Sequence, residues 1–63
     1  MKIYYCDEWS DIRKKPWNMI DECKAYLCHQ NNEPYTALLI EGERIKYVIN
    51  ITKDWVSVRF YDE

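Results

Sequence analysis

Glycine is all but missing from this chain of 63 residues: Gly42 stands alone, and proline is confined to Pro16 and Pro34. A single glycine cannot build the phosphate-cradling loops that nucleotide-binding folds use, and the shortage of both residues limits tight turns. Long hydrophobic runs are missing too. The longest apolar stretch, residues 37–40, falls far short of the ~20 residues that cross a bilayer, and residues 1–6 lack the apolar centre of a secretory signal. Nor does one sign of charge dominate. The formal net charge of −2 gives no bulk attraction to nucleic acid or to anionic membranes. Three cysteines, Cys6, Cys23 and Cys28, are an odd number, which suits a reducing compartment better than a secreted disulfide framework. The expectation is a cytoplasmic protein without a membrane segment, folded as one small domain over residues 1–63. A chain of this size buries only about 60% of the surface its unfolded state exposes, so its stability margin is narrow.

What the chain does have is aromatic weight. Aromatic residues make up 16%, with Trp9, Trp17, Trp55, six tyrosines and Phe60 offering large pieces for a small core. Residues 2–6, rich in Ile and Tyr, read as a first strand. Residues 7–15 are charged and read as a loop or one helical turn, which Ser10 can cap. Pro16 suits the first turn of a helix, where its missing N–H costs nothing. From residue 16 to about 30, a step of about 100° per residue gathers Met19, Ile20, Cys23, Tyr26 and Leu27 on one stripe, with Trp17 and Cys28 on a flank. Asp21 and Glu22 near the start and His29 near the end favour the helix dipole, and Gln30, Asn31 and Asn32 supply a stop before Pro34.

Three alternating runs follow from Tyr35 to Tyr61, separated by Glu41-Gly42 and by residues 52–54, the pattern of an antiparallel meander. A two-residue turn at Glu41-Gly42 sets Leu38 opposite Ile45, and a loop at residues 51–54 sets Ile49 opposite Val56. Both hairpins then choose one inward set: Leu38, Ile40, Ile45, Tyr47, Ile49, Val56, Val58 and Phe60. The predicted fold class is α+β, a two-layer sandwich in β-α-β-β-β order with one helix packed on a sheet. Its C-terminal half is a three-stranded antiparallel meander with residues 43–50 as the central strand, and the first strand joins the last by a right-handed parallel crossover. In such a core each large side chain contributes about 1.5–3 kcal/mol, so Ile49→Ala or Phe60→Ala is expected to remove much of the stability.

The same register places Tyr35, Arg44, Lys46, Trp55, Arg59 and Tyr61 together on the opposite, solvent-facing side. Lys46 would then face Arg59 directly, a like-charge pair that calls for an anionic partner or for solvent screening. Cations interleaved with aromatic rings suit an acidic protein surface, and equally a single strand of nucleic acid held by phosphate attraction and stacking. Long cationic side chains also lie over aromatic neighbours simply to cover apolar surface. The basic run Arg13, Lys14 and Lys15 reads as a solvated turn.

Chemistry-bearing clusters are weak. On the expected helix Cys23 and Cys28 diverge by about 140° and His29 points nearly opposite Cys23, so the three cannot close on one metal ion. His29 has no nucleophile beside it, and Asp7, Glu8 and Asp11 read as solvated loop carboxylates rather than an acid–base pair. No metal, cofactor or catalytic residue is assigned. In general character the chain resembles the small accessory proteins of bacteria and their phages, which implies a non-enzymatic protein-interaction module. It would dock an acidic partner surface through Tyr35, Arg44, Lys46, Trp55, Arg59 and Tyr61. The alternative is a single-stranded nucleic-acid-binding protein using the same face, and a homodimer through the exposed edge of the last strand is a third reading.

Overall fold

The computed structural model describes residues 1–61 and holds one helix with a five-stranded, wholly antiparallel sheet, an α+β fold. In chain order the elements are β1 (Lys2–Ser10), β2 (Lys15–Ile20), α1 (Glu22–Gln30), β3 (Tyr35–Glu41), β4 (Arg44–Ile51) and β5 (Val56–Phe60). Lateral order in the sheet is β2-β1-β3-β4-β5, so β3 is central and β2 and β5 are the edges. Three expectations are corrected by this. The order is β-β-α-β-β-β, the first strand pairs antiparallel with β3 rather than parallel with β5, and the centre belongs to β3 instead of residues 43–50.

The added strand comes from residues expected to open the helix. Ser10 does cap a turn: its hydroxyl accepts from the Arg13 N–H at 3.2 Å, and the Lys14 N–H reaches the Ser10 carbonyl at 2.8 Å. That turn closes a β1–β2 hairpin, with Lys14 left-handed at φ 55°, instead of launching a helix. Pro16 is accommodated because β2 is an edge strand, the setting in which a missing ladder donor is tolerated. The helix therefore starts later, where the Asp21 side chain accepts from the Lys24 N–H at 2.7 Å as its N-cap. Its end is where the Asn-rich segment placed it. Asn32 is left-handed at φ 58° and donates to the His29 carbonyl at 3.3 Å, while Glu33 N–H bonds the Cys28 carbonyl at 2.8 Å, the paired bonds of a Schellman stop.

One residue decides the faces of the meander. The first hairpin turns at Gly42 and Glu43 rather than at Glu41-Gly42, with glycine at φ 66° in the first turn position, and Glu41 pairs Arg44. Ile40 then pairs Ile45 but Leu39 pairs Tyr47, which leaves Lys46 as the extra residue of a bulge. Beyond it the alternation is reversed. Leu38, Ile40, Ile45 and Val48 share one face, which we term inner, while Ala37, Leu39, Tyr47 and Ile49 share the outer one. In the second hairpin Ile49 pairs Val58 and Tyr47 pairs Phe60, a register two residues from the expected one that keeps Tyr47, Ile49, Val56, Val58 and Phe60 on a common side.

The inner face is the main core. Leu38, Val48 and Cys6 are essentially sealed from water, and Trp9, Ile40, Ile45 and Tyr61 pack around them. Among the described residues no helix covers this face. The sheet curls, so that the tip of the β1–β2 hairpin reaches β5 across two intervening strands: Asp11 pairs with Arg59, and Trp9 meets Tyr61 edge-on with ring centroids 5.5 Å apart. Cys6 and Trp9 join one cluster although three apart in a strand, beside a local irregularity where Asn18 on β2 is left-handed at φ 56°.

Helix α1 lies on the outer face and buries its small residues, Ala25 and Cys28, against Tyr5, Ile20, Tyr35 and Ile51. The expected stripe is therefore not the buried one: Cys23, Tyr26 and Leu27 face solvent, because a nine-residue helix seated closely on tyrosine rings needs small side chains at the contact. The expected core role of Phe60 and Val58 is likewise overturned, since they are 56% and 61% exposed. The stability prediction changes accordingly. Leu38→Ala or Val48→Ala should cost about 1–5 kcal/mol in urea melts, with Leu38→Ala at the upper end, whereas Phe60→Ala should stay within about 1 kcal/mol of the parent.

Candidate functional site

The six residues expected to form a basic, aromatic surface do not share one. Tyr35, at the start of β3, is 9% exposed beneath α1, its ring 6.2 Å from that of Tyr5 and 6.1 Å from that of His29. Arg59 faces the inner side opposite Val48 and is engaged by Asp11, whose carboxylate holds the guanidinium firmly cationic. Tyr61 packs on the same inner side against Trp9, with the Lys14 ammonium 6.0 Å above its ring. Lys46 occupies the bulge, 3.9 Å from the Glu41 carboxylate, and Arg44 stands at the hairpin end opposite Glu41. Trp55 is exposed in the β4–β5 loop, which closes through Thr52: its hydroxyl accepts from Trp55 N–H at 3.2 Å, and its N–H donates to the Trp55 carbonyl at 3.0 Å. The supposed Lys46–Arg59 opposition is absent, because the β4–β5 register runs two residues from the expected one and sets Val48 against Arg59.

The outer face carries what the sequence reading missed. Ile3, Leu39, Tyr47 and Phe60 are aligned across four adjacent strands by successive register pairs, and α1 covers none of them. Tyr47 and Phe60 meet edge-to-face at 5.5 Å, the geometry aromatic pairs prefer. A second row runs Ile20, Tyr5, Ala37, Ile49 and Val58, and a third Tyr35, Ile51 and Val56. In both rows the helix covers the first members and leaves the β5 end open. Ile3, Val56, Val58 and Phe60 are each more than half exposed. Along the helix flank the surface deepens into an open groove of about 650 Å³, floored by Tyr5 and Tyr35 and walled by Glu22, Ala25, Tyr26 and His29. Burial pushes the Tyr35 phenol up from its usual range, so it stays protonated, 3.2 Å from His29 Nδ1. The signal for this face lay in the continuous apolar run 37–40, since a strand apolar on both sides has two faces to cover and the chain supplies one helix.

The cysteines lie on separate surfaces: Cys6 in the inner core, Cys28 beneath α1 and Cys23 in solvent, all as free thiols. Among the described residues no group of three or more His, Cys, Asp or Glu side chains gathers in a metal-binding arrangement. The carboxylates are also dispersed, with Asp7 accepting from the Asn18 amide and Asp11 engaged by Arg59. Among the described residues no helix is long and apolar enough to cross a membrane. Searches with family models, among curated proteins and among solved structures return no match to the chain.

Burial pushes Cys6 up to about 11, an effect that the nearby Asp7 charge reinforces and that bonds from the Trp17 and Glu8 backbone partly offset. Folding thus favours its neutral thiol. The unfolded thiol ionises from about 9, so this contribution is complete below pH 9 and is lost as pH rises toward 11. Cys6→Ala should flatten the fall in stability between those values relative to the parent, as urea melts at stepped pH will read. Native-state alkylation at pH 8 should modify Cys23 first, with Cys6 and Cys28 reacting only on unfolding.

Proposed function

We propose that this protein is a small non-enzymatic interaction module that docks a protein partner through its outer sheet face. The observation that carries this reading is the uncovered row Ile3, Leu39, Tyr47 and Phe60, with Val56 and Val58 beside it, on a domain whose principal core lies on the other side of the sheet. An apolar face this broad on a domain this small is a contact surface, since exposed hydrophobic side chains in contiguous rows mark interaction sites where single ones do not. The groove beside it provides a pocket for an anchoring side chain, with Tyr26 and His29 as its wall. The partner surface is accordingly apolar at its centre.

This keeps the class expected from the sequence and moves the docking surface away from the cations. Arg59 and Lys46 sit beside their own carboxylates, Asp11 and Glu41, and are not set against each other across β4 and β5. A strip of aromatic rings interleaved with open positive charge, as single-stranded nucleic acid requires, is not what the outer face offers.

The test is affinity capture from a lysate of the source cells with the parent, Ile3→Lys and Lys46→Ala chains side by side. A partner bound by the parent should be retained at least about tenfold less by Ile3→Lys and equally by Lys46→Ala, with little loss between low and high salt. A partner lost with Lys46→Ala but kept by Ile3→Lys returns docking to the basic residues. An oligonucleotide eluting steeply with salt replaces the protein reading altogether.

A further inference from the structure

The two edges of the sheet are not equivalent. On β2 the edge is blunted by Pro16, which has no N–H to offer, and by the left-handed Asn18. On β5 nothing interrupts the five residues Val56–Phe60, and the strand has neither proline nor glycine. Its hydrogen-bonding direction follows from the bonds at its two ends. The Trp55 carbonyl accepts from Thr52 N–H, and Tyr61 N–H donates to the Lys46 carbonyl at 2.7 Å, so Trp55 and Tyr61 turn their backbone groups toward β4. By the alternation of an antiparallel ladder Ser57 and Arg59 do the same, and Val56, Val58 and Phe60 direct their N–H and C=O groups outward to the open edge.

We propose that β5 pairs with β5 of a second copy of this chain, antiparallel and centred on Val58, joining two domains into one continuous sheet. In that register Val58 faces its own symmetry mate and Val56 faces Phe60 of the second copy. Each of these pairs exchanges two backbone hydrogen bonds, because all three residues point outward. The strand is self-complementary here and nowhere else. Sliding by two residues in one direction opposes Arg59 to Arg59, a like-charge pair, and in the other leaves Phe60 opposite the Asp54 position in the loop. In the centred register Arg59 lies opposite Ser57 on the inner face. On the outer face Val56, Val58 and Phe60 line up with Phe60, Val58 and Val56, covering part of the apolar surface that α1 leaves open. The hairpin tip does not occupy this edge, since its contacts with Arg59 and Tyr61 are made by side chains on the inner face. The interface is isologous, as a two-fold dimer requires. It rests on the edge of β5 and is independent of which outside partner the outer face binds.

The test uses the full chain. Sedimentation equilibrium over a concentration series should show the mass rise from 7.8 kDa toward twice that value. Val58→Lys, at a position 61% exposed in the single domain, should place two like charges across the two-fold axis and weaken association at least about tenfold while circular dichroism stays unchanged. Ile3→Lys, which disables the outer row far from this edge, should dimerise as the parent does, so loss of partner capture and loss of pairing are separable. Hydrogen exchange on the parent gives a second reading: the amides of Val56, Val58 and Phe60 should become protected as concentration rises, while those of Ser57 and Arg59 are protected throughout. A mass of one chain at every concentration overturns the proposal. So does a dimer in which those three outward amides exchange as fast as in the dilute chain.

Discussion

Leu38 and Val48 face one another across β3 and β4, and with Cys6 they form the dry centre against which the rest of the molecule is arranged. The inner face has no helix to cover it, so the sheet must cover itself. It does so by curling until the β1–β2 hairpin tip meets β5, bringing Trp9 onto Tyr61 and Asp11 onto Arg59. A tight aromatic-lined core of this kind is the way a chain of 63 residues, with little surface to bury, reaches a folded state. The closure leaves a visible cost at the Trp9 indole N–H, which is buried without a hydrogen-bond partner among the described residues.

Closing the inner face sets the terms for the outer one. Because the sheet's bulkiest contacts are spent on self-closure, α1 is left to cover only the region over Tyr5, Ile20, Tyr35 and Ile51, and it sits there on Ala25 and Cys28. The bulge at Lys46 completes the division of labour. One extra residue sends Ile45 inward with Ile40 and Leu38 but turns Tyr47 and Ile49 outward, toward Phe60 and Val58. The uncovered face and the open β5 edge are thus consequences of the same packing solution. Both the interaction role and the strand pairing draw on them.

Much of the local structure was legible beforehand, and the errors have identifiable causes. The turn capped by Ser10, the helix stop at Asn31 and Asn32, the three C-terminal strands and the shared side of Tyr47, Ile49, Val56, Val58 and Phe60 all follow from residue chemistry and period. Pro16 misled because its two favourable settings, the first turn of a helix and an edge strand, are indistinguishable until the sheet order is known. The six-residue basic, aromatic set misled because a register argument without a bulge carries one parity through the whole meander. Cys23, Tyr26 and Leu27 were assigned inward from the apolar stripe of a helix starting at residue 16, whereas α1 starts at Glu22 and packs Ala25 and Cys28 against Tyr5 and Tyr35.

By itself the amino-acid order determined the α+β class, the approximate ends of the three C-terminal strands, the stop of the helix and the shared side of Val56, Val58 and Phe60, since these rest on interactions between residues close along the chain. Which face of each strand met the core, which edge stayed open and where Arg59 found its carboxylate were decided only in three dimensions. Those outcomes turn on contacts between distant segments, such as Asp11 with Arg59, and on a single inserted residue whose effect is felt only when two strands are laid side by side.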